Sequence, residues 1–336
     1  MGSRFHGDLM SRFFEGYKLT DQLLGQGSRS AIKLAKGIKQ EDEVAVREIQ
    51  KDTYKNNLDV LYKEMDILKQ MQHRNVVKLR NWYEDNKVVL AVMDYVKHGS
   101  LLDYLLERDF YSEGLAQNIV SSLLNALHYC YKKGITHRDL TPECILLNDR
   151  YDVGRNIVVC NFGAATKVPI KDIGLEELST HFYDHPEYRC PEMLNKKKTY
   201  GHKCDIWSMG IIAAIIVSGG VSLFLDEDQV KTIKNVRRGQ FSWEPEENWK
   251  FVSGKAKNFI SCCLIKDPVK RYDYHELLEH EWIKGNRMDT KISSKGLGSY
   301  TVAKQKFHNI INLGAAVNVF AGLMEESDSD SEDEGI

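Results

Sequence analysis

His137-Arg138-Asp139-Leu140-Thr141-Pro142-Glu143-Cys144 is the stretch that decides the fold, and Asn161-Phe162-Gly163 follows it 17 residues after Cys144. Together they supply a carboxylate (Asp139), a thiol (Cys144) and an amide (Asn161). A carboxylate can accept a proton from a reacting hydroxyl. Magnesium prefers hard oxygen ligands, so a thiol suits it poorly and an amide offers only a neutral oxygen. Asp139 could therefore act as a base, whereas Cys144 and Asn161 would be poor ligands for magnesium.

Length, composition and charge limit the class of protein. The chain has 336 residues, 42% of them apolar, which suffices for one large domain of two lobes or for two ordinary domains. Net charge is −2 and no basic stripe with interleaved aromatics occurs, so no nucleic-acid partner is expected. The seven cysteines form no C-x-x-C pair, which predicts reduced thiols in the cytoplasm, with the nucleus as the alternative. The longest apolar stretch, 209–217, is too short to span a membrane.

The spacing of apolar residues predicts strands first and helices later. Residues 17–49 carry short runs rich in Val, Ile and Leu, broken at Gly25-Gln26-Gly27 and around 37–42, which is typical of three antiparallel strands. Apolar residues recur at helical spacing over 57–71 and predict an amphipathic helix. The remaining predicted elements are strands near 76–82 and 87–95 and buried helices over 115–131 and around 209–217.

These motifs occur in the order found in the eukaryotic protein kinases, and the chain resembles that family, most of all its calcium/calmodulin-dependent Ser/Thr group. The resemblance covers about residues 17–284. It rests on Gly25-Gln26-Gly27, Val44-Ala45-Val46-Arg47, Glu64, the His137 loop, Asn161-Phe162-Gly163, Cys190-Pro191-Glu192, Asp205-Ile206-Trp207-Ser208-Met209-Gly210 and Asp267-Pro268-Val269-Lys270-Arg271. It implies an α+β, bilobal protein-kinase fold. A small antiparallel β-sheet lobe with one helix would cover 17–94, and a larger, mainly α-helical lobe would cover 98–284.

The resemblance implies that two sets of residues are kept: those that stabilise the fold and those that contact adenine. The implied nucleotide-binding positions are Gly25, Gly27, Ile32, Ala45, Met93, Asp94, Val96 and Leu146. Leu68, Leu79, His137 and Phe162 match the apolar column of active kinases. Glu192 and Arg271 match a buried ion pair of the large lobe.

The implied catalytic positions are mostly altered. Asp139 stands at the retained base position, and Glu64 stands where the partner of the strand lysine belongs. That lysine is Arg47 here, and the two cations are not equivalent at a site that needs a compact charge. Thr141 replaces a lysine and His185 replaces a threonine, both of which accompany the catalytic aspartate in the family.

The two implied metal positions are altered as well. In the kinase pattern an Asn and an Asp hold magnesium on ATP, and Cys144 and Asn161 stand in their places. If each loss costs about 100-fold, the barrier rises by roughly 5 kcal/mol. Magnesium binding is therefore doubtful, whereas ATP binding, weak or without metal, stays open because adenine needs no metal.

Three functions are compatible with this pattern. The leading hypothesis is a pseudokinase that acts as a signalling scaffold or allosteric regulator. The alternative is an active but divergent Ser/Thr kinase that transfers the ATP γ-phosphate to protein hydroxyls, with Asp139 as base. A structural role in a larger assembly is the third. The combined changes at Thr141, Cys144, Asn161 and His185 favour the first.

The segments outside 17–284 differ in character. Residues 1–16 are predicted as an N-terminal extension, 285–300 as a linker, 301–324 as an apolar C-terminal segment and 325–336 as a disordered acidic tail. Residues 304–320 carry two lysines followed by spaced large apolar residues, which resembles a calmodulin-binding or autoinhibitory segment. Docking on its own large lobe and calmodulin binding are the two alternatives. Signalling proteins are the expected partners.

Overall fold

The computed structural model describes residues 5–27, 30–54, 57–167, 185–194, 201–287 and 289–310, without the side chains of 5–9 and 306–310. The chain divides into two compact units, 1–101 with 122–170, and 102–121 with 171–336. This division differs from the predicted lobes, because residues 122–170 join the first unit, in part through backbone hydrogen bonds. The Val77 N–H donates to the Val159 carbonyl (2.9 Å), and the Val159 N–H donates to the Asn75 carbonyl (2.9 Å).

The first unit is built on a five-stranded antiparallel sheet with the order β1-β2-β3-β5-β4. The strands are β1 (Tyr17–Gln26), β2 (Ser30–Gly37), β3 (Glu43–Gln50), β4 (Leu79–Glu84) and β5 (Val88–Asp94). The predicted strands are thus confirmed. Because side chains alternate along a strand, Val44 and Val46 of β3 face one side of the sheet and Ala45 and Arg47 face the other. We call these the outer and the inner face.

Helix α1 (Phe5–Gly16) packs on the outer face. The Phe13 side chain is fully buried, with its ring 5.6 Å from the Tyr17 ring and 5.5 Å from the Tyr83 ring. The buried residues of this cluster are Phe13, Ala35, Val44, Val46, Tyr83, Leu90 and Val92. The predicted N-terminal extension therefore contains a helix that completes the core of the first unit.

Helix α2 (Leu58–Lys69) lies on the inner face and buries Leu61, Met65 and Leu68, as its predicted spacing requires. The rest of the first unit includes two strand pairs. These are β7 (Ile135–Thr136) with β10 (Thr166–Lys167), and β8 (Ile145–Leu147) with β9 (Ile157–Val159).

The second unit is mainly helical in the residues described. Its elements are most of α3 (Leu101–Leu106), β6 (Phe110–Ser112), the start of α4 (Glu113–Lys132), α5 (Lys203–Ser218), α6 (Gln229–Arg238), α7 (Glu246–Trp249), α8 (Gly254–Cys263), α9 (Tyr274–Glu279) and α10 (Glu281–Lys284). Helix α5 is buried on all sides, as predicted from its apolar sequence. Among the described residues, no helix is both long and apolar enough to cross a membrane.

The structure corrects the prediction that residues 285–300 form a linker. They contain β11 (Lys291–Ser293) and the start of α11 (Lys295–Ile310). Strand β11 pairs with β6, and Ile292, Leu297 and Tyr300 are buried. A Cβ on Gly220 would lie 2.3 Å from the Gly296 carbonyl carbon, so the close approach at the end of α5 requires glycine. The apolar residues were too sparse among Gly and Ser to predict this packing. Residues 311–336, with the predicted acidic tail, lie outside the described residues.

Candidate functional site

Arg47 connects three elements on the inner face of the sheet. Strand β3 presents Arg47, and helix α2 presents Glu64, which is only 2% exposed. The Arg47 Nη1 donates to the Glu64 Oε1 (2.5 Å), and its Nε donates to the Ser30 Oγ at the start of β2 (3.0 Å). Burial works to lower the pKa of Arg47, but the Glu64 carboxylate, with smaller contributions from Tyr54 and Cys160, raises it, and the net pKa is raised. The ion pair predicted from the sequence is confirmed, and the guanidinium is held between α2 and β2.

Cys144 is the centre of a second polar cluster. It ends a short 3₁₀ turn over 142–144 and is buried. Its Sγ accepts from the Asn161 Nδ2 (3.7 Å), donates to the Asp139 carbonyl (3.4 Å) and lies 3.5 Å from the Thr141 Oγ1. Burial, followed by the nearby Asp139 charge, raises the pKa of the thiol. Cys144 is therefore a neutral thiol near pH 7. The side chains at the two predicted metal positions, Cys144 and Asn161, form a hydrogen bond with each other.

Gly163 joins the two clusters. Asn161 has φ 65° and ψ 64°, a left-handed conformation that asparagine tolerates, and a 3₁₀ turn follows over 162–164. A Cβ on Gly163 would lie 3.6 Å from the Glu64 Oε2 and 3.7 Å from the Asn161 Oδ1. The two side chains thus converge beside this glycine. We call the resulting row of side chains the polar wall: Ser30, Arg47, Glu64, Asn161, Cys144 and Thr141.

The four residues matched to the apolar column lie in the first unit and are all buried. The His137 and Phe162 rings are 4.8 Å apart in an edge-to-face arrangement. His137 also places its Nε2 2.9 Å from the Cys160 carbonyl oxygen, which fixes the ring. Helix α2 contacts the turn that carries Phe162 and supplies Leu68 to the same core. The polar wall therefore lies beside a buried apolar core.

Three of the predicted adenine positions, Ile32, Ala45 and Met93, lie on the same inner face. In the sheet register Ala45 lies between Leu34 of β2 and Met93 of β5, and Ile32 pairs with Arg47. Ala45 is buried, whereas Ile32, Met93 and Leu146 are half-buried. These three apolar side chains thus keep accessible surface that a flat heterocycle can contact.

The glycine turn after β1 is partly committed to its own hairpin. The Gly27 N–H donates to the Ser30 carbonyl (2.9 Å), so this donor is used within the turn. Ile32 has its Cδ1 4.0 Å from the place where a Gly25 Cβ would lie. Ser28 and Arg29 fall outside the described residues.

The side chains at the end of β5 and just after it line a polar groove. The Asp94 carboxylate accepts from the Arg80 Nε (2.5 Å), and Arg80 is also paired with Asp42. Asp94 and Val96 line a polar groove of about 890 Å³ that also includes Lys78 and Arg80. Any role of Asp94 at a nucleotide would thus fall to its backbone.

The second unit holds the remaining predicted residues. His185 precedes a 3₁₀ turn over 186–188, and its Nδ1 lies 3.9 Å from the Glu187 Oε1. The predicted pair of Glu192 and Arg271 is confirmed, with two parallel hydrogen bonds of 2.6 and 2.9 Å. Arg271 also donates to backbone carbonyls, among them Ile265 (2.9 Å), so this buried cation is fully engaged.

Comparison with known proteins agrees with this architecture. The protein kinase domain family matches residues 19–283. The chain belongs to the protein kinase family. Calcium/calmodulin-dependent protein kinase type 1 of Macrobrachium nipponense is 33% identical over 277 residues, which is 82% of this chain and 77% of that protein. The type 1 kinase of Caenorhabditis briggsae is 30% identical over 307 residues, 90% of this chain and 83% of the relative.

A third relative is longer than the chain. Calcium-dependent protein kinase 5 of Plasmodium falciparum (isolate 3D7) is 32% identical over 314 residues, 93% of this chain but 53% of that protein. The chain is thus a protein kinase homologue of the calcium/calmodulin-dependent type. The predicted α+β kinase fold, with a five-stranded antiparallel sheet and a helical part, is confirmed.

The residues of this kinase homologue do not fit magnesium at the family position. Magnesium requires hard oxygen ligands in octahedral geometry. Cys144 presents a buried neutral thiol, and Asn161 directs its amide nitrogen at that thiol. In the part of the chain that the structure describes, no group of three His, Cys, Asp or Glu side chains could hold a metal ion. The described residues at this position therefore give magnesium no adequate set of ligands.

Sequence reasoning missed two contacts of the kinase site. One is the Ser30 hydroxyl as acceptor for Arg47, and the other is the direct contact of Asn161 with Cys144. The first had a signal, because Ile32 lies opposite Arg47 and strand alternation puts Ser30 on the same face. The second needed the pairing of β8 with β9, which brings residues 17 positions apart together.

Proposed function

We propose that the chain is a pseudokinase, a protein-kinase fold that regulates signalling proteins as a scaffold or allosteric partner and transfers no phosphate at a useful rate. The observation that carries the proposal is the Asn161–Cys144 contact of 3.7 Å. It uses both predicted metal positions for an internal hydrogen bond around a neutral thiol. Two lost ligands, at about 100-fold each, would put transfer on the order of 10⁴-fold below an active kinase.

The contacts that are retained support a regulatory role better than a fold with no remaining function. The Arg47–Glu64 ion pair and the buried column around His137 and Phe162 hold α2 against the sheet. A partner that recognises this arrangement would find it preorganised, since no metal is needed to form it. All seven cysteines are free of disulfides, which supports action in the cytoplasm or nucleus.

An active, divergent Ser/Thr kinase is the second candidate. Asp139 is present, and the relatives named above are called protein kinases. In that case Asp139 would accept the substrate hydroxyl proton, and Arg47 would contact ATP phosphates. The two candidates differ in whether phosphate is transferred.

Phosphate transfer from labelled ATP to the chain itself and to a mixture of basic peptides, with magnesium or manganese, tests the proposal. We expect no incorporation above that of the Asp139→Ala variant. Metal-dependent transfer that Asp139→Ala abolishes would support the active kinase and end the pseudokinase proposal. The double variant Cys144→Asn with Asn161→Asp should gain metal-dependent transfer if the metal ligands are the main loss.

For the C-terminal segment we propose docking on the second unit in preference to calmodulin binding. Lys304, the first residue of the predicted calmodulin-binding stretch, is buried, and its Nζ lies 5.1 Å from the Tyr188 ring centre. Leu297 and Tyr300, just before the stretch on the same face of α11, are buried too. Calmodulin binding at 304–320 would have to extract Lys304. A titration with calcium-loaded calmodulin should show no binding at micromolar concentration, and tight binding would contradict the docking proposal.

A further inference from the structure

We propose that the acidic segment of this chain, residues 325–336, binds a basic surface on helix α6 of the second unit. The proposal does not depend on whether the chain transfers phosphate. Two separate observations lead to it. One is an exposed row of cations on α6, and the other is the place to which α11 brings the chain before the acidic segment begins.

Helix α6 carries its cations on one side. Lys231, Lys234 and Arg238 are exposed and recur at intervals of three and four residues, so they form a row along the helix. Ile233 and Val236, on the opposite side, are buried in the second unit. At a rise of about 1.5 Å per residue the row is about 10 Å long.

Lys266 extends this row beyond the end of the helix. Gly239 ends α6 with φ 65°, and a Cβ on it would lie 3.0 Å from the Lys266 Cβ and 3.5 Å from the Lys266 Cδ. The exposed Lys266 side chain therefore runs past the end of α6, next to Arg238. We call these four cations the basic stripe: Lys231, Lys234, Arg238 and Lys266.

The described residues leave most of the stripe's charge unneutralised. Within the part of the chain that the structure describes, Lys231, Arg238 and Lys266 form no ion pair. The nearest acids in sequence serve their own turns. The Asp228 carboxylate accepts from the Val230 N–H at the start of α6 (2.8 Å), and the Asp267 carboxylate accepts from the Val269 N–H (2.9 Å). The stripe thus offers positive charge to an anionic partner.

Helix α11 brings the chain close to α6. The Lys304 Nζ of α11 lies 5.1 Å from the Tyr188 ring centre, and α6 packs on the same turn, 186–188. Fourteen residues, 311–324, separate the end of α11 from the acidic segment. An extended chain of that length spans up to about 46 Å, about three times the length of α6. The acidic segment can therefore reach the stripe of its own chain.

The charges of the acidic segment are spaced to meet several cations at once. Every second residue from 326 to 334 is acidic: Glu326, Asp328, Asp330, Glu332 and Glu334. In an extended chain alternate side chains lie on one side, about 7 Å apart. The stripe cations on α6 follow one another at about 4.5 and 6 Å along the helix axis, and their long flexible side chains can cover the difference. Two or three ion pairs can thus form together.

Tethering makes such weak pairs sufficient. A single exposed ion pair contributes little stability. Several pairs on a segment joined to the same chain benefit from a high effective concentration. Because the pairs are exposed, salt screens them, and the Debye length falls from about 10 Å at 0.1 M to about 3 Å at 1 M. We therefore expect the segment to be bound at low salt and released at high salt.

Zero-length carbodiimide cross-linking of the full chain, mapped by mass spectrometry, tests the proposal. The reagent joins a carboxylate to an amine only where the two groups touch. At low salt we expect the monomer to carry cross-links from acids of 325–334 to Lys231, Lys234 or Lys266. These should be lost at 1 M salt, because screening removes the attraction. The exposed pair of Lys255 with Glu281 is the internal standard for the low-salt reaction.

Charge reversal on α6 gives the sharper measurement. Lys231→Glu with Lys234→Glu should lower the cross-link yield at the remaining Lys266 at least about fivefold. The matched control, Lys250→Glu with Lys291→Glu, makes the same charge change at exposed lysines outside the stripe and should leave that yield unchanged. Adding Asp328→Lys with Asp330→Lys to the α6 variant should create new cross-links to the two introduced glutamates.

Three results would overturn the proposal. The first is equal cross-linking of the acidic segment to Lys250 or Lys291 and to the stripe. The second is the absence of cross-links from 325–334 when the Lys255–Glu281 cross-link forms. The third is cross-linking to the stripe in covalent dimers alone, which would mean that the segment binds a second copy of the chain.

Discussion

The two faces of the five-stranded sheet are built on opposite principles. The outer face is apolar and closed, with Val44 and Val46 fully buried under Phe13 of α1. The inner face adds a polar clamp to its apolar residues, because Arg47 links Ser30 to Glu64. The outer face therefore sets the stability of the sheet, and the inner face sets its chemistry.

The two faces also differ in how they relate to the protein kinase family match. The kinase family match begins at residue 19, so α1 lies outside it, yet α1 completes the core of the first unit. The inner face lies wholly within the match and keeps the family's ion pair, but with an arginine and an added serine contact. In this sheet the helix that packs on the outer face lies outside the kinase family match, whereas the altered residues of the inner face lie inside it.

Phe13→Ala should have the largest effect. Removing this ring leaves a cavity between α1 and the sheet, and such substitutions cost about 3–5 kcal/mol. We expect the free energy of unfolding from urea titration to fall by that amount. Phe14→Ala is the matched control, because that side chain is 57% exposed and its loss should cost less than about 0.5 kcal/mol. Equal effects at the two positions would show that α1 does not close the outer face.

Most of the sheet was predictable, but α1 was not. Strands β1 to β5 and helix α2 follow from local alternation and helical spacing, and both are confirmed. Helix α1 is as long as α2, but the evidence for it lies in the strands that Phe13 covers, most of which are distant in sequence. The same holds for residues 285–300, where the backbone of Ser293 and Gly296 lies against Gly219 and Gly220, a contact that no local pattern indicates.

Arg47→Ala should have the second largest effect. It leaves the Glu64 carboxylate, 2% exposed, without its cation, and an unpaired buried charge costs about 3 kcal/mol. The Arg47 side chain is 15% exposed, so water reduces this cost somewhat. Lys33→Ala is the control from the same hairpin. Its pair with Glu48 is 37% and 28% exposed and should be worth less than about 1 kcal/mol. If the two variants melt alike, the inner clamp is not a buried ion pair.

The site was predictable residue by residue, but its connections were not. Arg47, Glu64, Asp139, Cys144 and Asn161 were all identified from motifs. Their contacts depend on atoms that only the folded chain brings together, such as the Cys144 sulfur beside the Asn161 amide. The sequence could show that both metal positions had changed, whereas their mutual hydrogen bond required the strand pairing of β8 and β9.

Ser30→Ala should have the smallest effect and gives the most specific test of the clamp. The Arg47 Nε would lose its acceptor at 3.0 Å, which should cost about 1 kcal/mol at this half-buried position. The measurement is a double-mutant cycle with Arg47→Ala, read from the free energies of unfolding. If the hydroxyl acts through the guanidinium, Ser30→Ala should cost nothing in the Arg47→Ala background, giving a coupling of about 1 kcal/mol. Additive losses would instead mean that Ser30 stabilises β2 alone, and the arginine would then be free to turn toward a phosphate.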